Sequence, residues 1–186
     1  PPQVTMIPVF ILFRALGMVN TMLLISEIES GLRPAGKDPV DLGGLVAEAC
    51  ELFEPVAEGQ NVAVSLYKPE QAVTVPGNAA ALQRMVANLL DNAIKYTPPG
   101  GRVWVHLKPG RKDVEIQFQD TGTGIPADIL DKIYDPYFTT KSKDKGTGLG
   151  LAVVHGIVKS YGGDISVETA PGKGAAFNIH LPTIQA

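Results

Sequence analysis

Apolar residues recur along this chain with two different periods, and the points where the period changes mark out its elements. From Asn78 to about Tyr96, residues Leu82, Met85, Val86, Leu89, Leu90 and Ala93 share one side of a helical repeat. This predicts an amphipathic helix capped by Asn78 and stopped by Pro98-Pro99-Gly100-Gly101. Residues 61 to 67 alternate instead, as do Arg102 to Leu107, Val114 to Gln119, Asp164 to Thr169 and Ala176 to Leu181; each reads as a strand, with Ala72 to Val75 a further short one. Pro-Gly turns at 109–110 and 171–172 make hairpins of the later strands. Asp41 is placed to cap a helix from Leu42 to Glu54, Pro126 to open a short helix, and Gly148 to start a longer one ending at Tyr161. Helices alternating with hairpins imply an α+β fold: a two-layer α/β sandwich whose mixed, mostly antiparallel sheet is covered by helices on one face.

A preceding helical pattern, residues 9 to 30, ends at Gly31 and is apolar over more than one stripe. Such a helix wants partners on several sides, as in a bundle, or packs on a neighbouring domain. Leu32 to Pro39 reads as a linker. The expected organisation is a bundle-type helix and linker over 1–36, then a second domain over 37–186.

Composition narrows the function classes. A net charge of -3 offers no basic excess to meet a nucleic-acid backbone. The single cysteine, Cys50, has no internal partner, which fits a reducing, cytoplasmic setting. The most apolar run, Val9 to Phe13, is far shorter than the roughly 20 residues a bilayer needs, and no basic stretch precedes it as in a signal peptide. Pro1, Pro2 and Pro8, without an initiator methionine, suit a chain that begins within a longer parent, where membrane or sensor parts are expected.

Candidate chemistry sits in the second half. Asn88, Asn92 and Lys95 lie together on the side of the 78–96 helix away from its apolar stripe. They are either an ordinary solvated face or a ligand surface: asparagine is a middling helix former, yet its carbonyl can ligand Mg²⁺ and its amide can meet a phosphate oxygen. Asp120 ends a strand and is followed by Thr-Gly-Thr-Gly, where Gly122 and Gly124 permit close backbone approach. An ionised carboxylate only accepts hydrogen bonds, which suits an exocyclic amino group, although Asp-Thr-Gly turns are also common without ligands. Gly146, Gly148 and Gly150 lead into an apolar helix whose first N–H groups can face an anion. Before them lies a stretch with Lys141, Lys143 and Lys145, readable as a lid or as a solvated loop.

NLLDNAIKY (88–96), DTGTGIP (120–126), DPYFTT (135–140) and GTGLGL (146–151), in this order, resemble the N-box, glycine boxes and F-box of the sensor histidine kinase catalytic domain, a GHKL ATPase with the Bergerat fold. The resemblance covers about 40 to 183, and LLISEIESG upstream is similar to the end of the dimerisation and phosphoacceptor hairpin. It implies ATP and Mg²⁺ as cofactors, with Asn92 on the metal, Asn88 as its polar companion, and Lys95 and Tyr96 beside phosphate and base. It further implies Asp120 as the adenine reader, with Gly122, Gly124 and Ile125 at its hinge and Phe138 as the F-box aromatic. Lys141, Lys143, Gly146, Thr147, Gly148, Leu149 and Gly150 would form the lid and triphosphate segment. The implied partners are the parent's acceptor hairpin, a response regulator, and a second copy through residues 9–30.

In gyrase-like and chaperone relatives, the position four residues before the metal-binding asparagine carries a water-activating glutamate. Here it is Asn88, which cannot serve as a general base near neutral pH. That favours a kinase over an ATPase. His106, His155 and His180 lack the acidic neighbour of the acceptor motif and read as structural, so the acceptor histidine is expected outside this chain. A nucleotide-responsive interaction module and a slow ATPase remain the alternatives.

Overall fold

The computed structural model describes residues 38–139 and 148–183, so the helical pattern at 9–30 and the lysine-rich stretch lie outside the described residues. Strand β1 (Asp38–Asp41) leads into helix α1 (Leu42–Gly59), then β2 (Ala63–Tyr67), β3 (Thr74–Gly77) and α2 (Ala79–Tyr96). Next come β4 (Arg102–Pro109), β5 (Asp113–Asp120), a 3₁₀ helix (Ala127–Lys132), α3 (Gly150–Ser160), β6 (Asp164–Thr169) and β7 (Ala175–Pro182).

The main sheet has the order β2-β4-β5-β7-β6. It is antiparallel throughout except for β2 beside β4, a parallel pair whose crossover carries α2, as parallel pairing requires. Register sets Val105 opposite Phe118, Ile116 opposite Ile179 and Ile165 opposite Ile179, so the buried residues share one face. Leu82, Met85, Val86, Leu89 and Leu90 of α2 and Val153, Val154, Ile157 and Val158 of α3 are buried with them. The other face is polar and more open, with Gln117 donating to Asn178 at 2.7 Å. The expected two-layer sandwich is therefore the fold observed.

Three boundaries differ from the expectation. Asp38 and Pro39, expected in the linker, instead begin a strand over 38–41 that pairs antiparallel with β3, from Asp38 opposite Gly77 to Asp41 opposite Thr74. The short strand expected at 72–75 is shifted to Thr74–Gly77 by the same pairing. Helix α1 does not stop at Glu54 but continues through Pro55 to Gly59. The bond that proline removes would have reached the carbonyl of Glu51; both residues are exposed, so water takes its place.

One side chain ties the two helices that matter below. The Tyr161 hydroxyl, just past α3, accepts from the Asn78 N–H at 2.7 Å and donates to the Asn78 carbonyl at 3.2 Å. Asn78 itself caps α2 by accepting from Ala81 N–H at 3.1 Å. Gly77 leaves room for the ring, since a Cβ there would overlap the hydroxyl. Tyr161→Phe should therefore lower unfolding stability by about 0.5–1.5 kcal/mol, because the Asn78 N–H loses its part-buried partner while its carbonyl keeps the Leu82 N–H. Urea unfolding should show a lower midpoint with an unchanged slope; an unchanged midpoint would remove the hydroxyl from this role.

Candidate functional site

A cavity of about 490 Å³ opens between α2, the end of β5, the 3₁₀ helix and the start of α3. Helix α2 forms one wall with Asn88, Asp91, Asn92, Lys95 and Tyr96. These residues lie off the buried stripe of the same helix, and Asn88 and Asn92 are half-buried. Asn88 donates from Nδ2 to the Arg84 carbonyl at 2.9 Å, and its Oδ1 faces the first residue of α3. A Cβ at Gly150 would stand 3.1 Å from that oxygen, so glycine lets α3 begin close against the polar face of α2.

The far end is built by the alternation of β5. Val114, Ile116 and Phe118 point inward, and the next inward position is Asp120, which is only 8% exposed. Its Oδ1 accepts from Gly122 N–H at 2.7 Å and from Ala175 N–H at 3.2 Å. Burial pushes the Asp120 carboxyl above the usual aspartate range, and these two N–H groups pull it partly back. Phe118, Phe177, Ile125, Ile129 and Ile133 surround it with apolar wall. Gly124 takes a φ of 70°, and a Cβ there would run into the Ala170 carbonyl of the β6–β7 turn.

The remaining expected residues divide. Phe138, Gly148 and Gly150 line the cavity, and Gly148, at φ 67°, packs on the backbone of Tyr137 and Phe138. Gly122 is buried beside the cavity and acts through its N–H on Asp120. Leu149 is buried at the start of α3 and is not among the lining residues. Lys141, Lys143, Gly146 and Thr147 lie outside the described residues. The expected structural histidines are away from the cavity: His106 stacks on Tyr67, His155 on Tyr134, and His180 Nδ1 is 3.4 Å from Asp113.

Sequence reasoning missed Thr123, Ile129, Ile133 and Ala175. Ile129 and Ile133, four apart after Pro126, carried a helical signal that could have placed them. Ala175 acts through its backbone, for which no side-chain pattern exists.

Chemically, the cavity has an apolar end with one buried acceptor and a polar end with amides. The first suits a flat group carrying an N–H donor; the second suits an oxygen-rich anion, helped by the N–H groups that open α3. Among the described residues, no three His, Cys, Asp or Glu side chains gather to hold a metal. The Asn88 and Asn92 amide oxygens fit a hard cation only where the bound anion supplies further oxygens, which is how Mg²⁺ commonly binds with phosphates. No helix among the described residues is long and apolar enough to cross a membrane.

Comparison with known proteins agrees. The family model for histidine kinase-, DNA gyrase B- and HSP90-like ATPases matches residues 77–185. The sensor kinase CckA of Brucella abortus is 33% identical over 92% of this chain and 19% of its own length. The probable sensor histidine kinase TcrY of Mycobacterium tuberculosis is 36% identical over 89% of this chain and 35% of its own. The chain thus spans about a fifth to a third of these relatives. Among solved structures, the mycobacterial sensor histidine kinase MprB superposes with a TM-score of 0.71 at 30% identity, covering 81% of this chain and 99% of that one. Full-length ShkA in complex with AMPPNP gives 0.81 at 26% identity, covering 93% of this chain and 36% of that one. With its fold and more than half its length matched, the chain belongs to the histidine kinase-, DNA gyrase B- and HSP90-like ATPase family.

Proposed function

We propose that this chain is the ATP-binding, phosphoryl-donating domain of a two-component sensor histidine kinase, preceded over residues 1–36 by the end of a dimerisation hairpin. The observation that carries the reading is that the Asp120 carboxyl and the Asn92 amide, 28 positions apart in sequence (120 − 92), open into one cavity. Asp120 accepts the adenine amino group, held between Ile125 and the apolar wall. Asn92, with Asn88, holds a Mg²⁺ ion brought in with the nucleotide; when bound, that ion supplies charge neutralisation for the phosphates. Lys95 and the N–H groups opening α3 add donors at the same end, and Lys141, Lys143, Gly146 and Thr147 match in sequence the lid segment of the family.

Asn88 gives the domain its direction. With no carboxylate at that position, attack by water is not assisted, so the terminal phosphoryl group waits for another nucleophile. An imidazole is nucleophilic without a base and needs mainly positioning. In the proposed reaction the bond between the terminal phosphorus and its bridging oxygen breaks, a phosphorus–nitrogen bond forms on the hairpin histidine, and ADP leaves. The histidine then passes the group to an aspartate of a response regulator. Mixing the chain with a separately made acceptor hairpin and terminally labelled ATP tests this directly: acid-labile label on histidine is expected, and ATP hydrolysis without transfer would replace the kinase with an ATPase.

Asn92→Ala should weaken Mg·ATP binding at least tenfold by calorimetric titration, with little change in folding, because a half-buried amide is lost and no core contact with it. Undiminished affinity would dismiss Asn92 as a ligand.

Asp120→Asn separates stability from recognition. A pKa raised by burial means that the fold prefers the protonated acid. The ionised carboxyl therefore costs nothing below the unfolded value near 3.8, an increasing amount as pH climbs through the folded pKa, and a constant amount above it. The neutral amide removes that cost while its oxygen still accepts from Gly122 and Ala175. Nucleotide-free Asp120→Asn should thus melt at or above the parent temperature at pH 7, with its advantage shrinking towards pH 4, yet lose its preference for ATP over GTP. A melt well below the parent at pH 7, or intact selectivity, would contradict the assignment.

A further inference from the structure

Thr169, at the end of β6, is not a wall of the cavity, yet its hydroxyl touches both sides of the Asp120 cradle. Its Oγ1 accepts from the Ile125 N–H at 2.9 Å, on the loop that follows β5. The same hydroxyl donates to the Gly174 carbonyl at 2.8 Å, in the turn that enters β7. That carbonyl belongs to the peptide group whose N–H, on Ala175, donates to Asp120 Oδ1 at 3.2 Å. The bonds therefore run continuously from Ile125 N–H through the Thr169 hydroxyl and the 174–175 peptide to the carboxylate, and Gly122 N–H closes the other side at 2.7 Å.

Two features keep this relay from relaxing into other arrangements. Gly174 sits at φ 76°, and a Cβ on it would meet the carbonyl of Asp120 itself, so the turn rests directly on the end of β5. Gly172 N–H donates to the Thr123 carbonyl at 2.7 Å, pinning the turn to the loop on the other side of Gly124. The Thr169 hydroxyl is donor and acceptor at once here, and a donor bond onto a peptide carbonyl strengthens the N–H at the other end of that peptide.

We propose that Thr169 is a positioning residue for base recognition, acting through the 174–175 peptide to aim the Asp120 carboxylate and through Ile125 to set the apolar wall beside it. The inference rests on the reading of this cavity as an ATP site and adds a residue that no motif in the sequence marks. It concerns the base end only: the asparagines of α2 and the start of α3 are untouched by Thr169.

Its test uses the full chain with Thr169→Val, which keeps the β-branched shape and deletes the hydroxyl, and Thr169→Ser, which keeps the hydroxyl. Binding of Mg·ATP, Mg·GTP and Mg·tripolyphosphate is measured by calorimetry or by displacement of a fluorescent ATP analogue, with circular dichroism confirming the fold. The valine variant should bind ATP about tenfold more weakly and lose most of its preference for ATP over GTP, while tripolyphosphate affinity stays within about twofold and serine restores ATP binding to within about threefold. ATP affinity within twofold of the parent in the valine variant would overturn the proposal alone. Equal losses for ATP and tripolyphosphate, or failure of serine to rescue, would reduce Thr169 to a general structural role and overturn it too. A parent chain that binds tripolyphosphate but shows no preference for ATP would instead overturn the underlying reading of the base site, and the proposal with it.

Discussion

A carboxylate can leave water only where other donors replace the hydration it gives up, and the site is organised around meeting that demand at Asp120. The alternation that buries Val114, Ile116 and Phe118 carries the next inward residue of β5 under the helical layer, and that residue is an acid. Its two replacement donors come from different directions: one from its own loop, two residues on, and one from β7. Strand β7 must therefore lie beside β5, the β6–β7 turn must close against the loop, and the loop must turn sharply at Gly124. Both bonds go to one oxygen, so the carboxyl is fixed in place while still facing the cavity. The place of β7 in the sheet and the placement of this carboxyl thus meet one constraint.

The opposite end follows from how α2 and α3 approach each other. Tyr161 fastens the end of α3 to the start of α2, and Gly150 lets the start of α3 come down on Asn88. Asn88 is then more than a missing acid. Its amide donates to the Arg84 carbonyl, a bond that a carboxylate cannot make because it has no proton to give.

The elements with a long, regular pattern were legible in the sequence: α2 with its Asn78 cap, and the alternating strands of both later hairpins. The cavity's side-chain chemistry was also legible, because Asn88, Asn92, Asp120 and the glycines occur as motifs. What the sequence did not show was set by partners distant along the chain. Residues 38–41 become a strand only because β3 is beside them, and Pro39 opposite Pro76 hid that pairing, since neither offers an N–H. The end of α1 was misplaced at Glu54 because a proline follows, whereas exposure of Pro55 and Glu51 makes the lost bond cheap enough for the helix to continue. Ala175 and Thr169 were invisible for a different reason. One contributes a backbone N–H and the other a hydroxyl to backbone groups, and neither role leaves a residue-type signature when read alone.

These two ends impose different tolerances on the protein. The polar end can be assembled from groups that are individually adjustable, since amides, a lysine and helix N–H groups meet phosphate oxygens whose negative charge is spread over several atoms. The base end cannot, because a single buried carboxyl must point at one donor, and an ångström of drift would leave both unpaired in an apolar wall. It follows that rigidity should be concentrated around Asp120, and there the backbone is interlocked from both sides: Gly124 against Ala170, Gly174 against Asp120, Gly172 bonded to Thr123. On the proposed function, a domain that holds a nucleotide until a separate histidine arrives would gain from this division. The base of the proposed nucleotide would then rest on the interlocked backbone around Asp120, and its phosphates would meet the amides of α2.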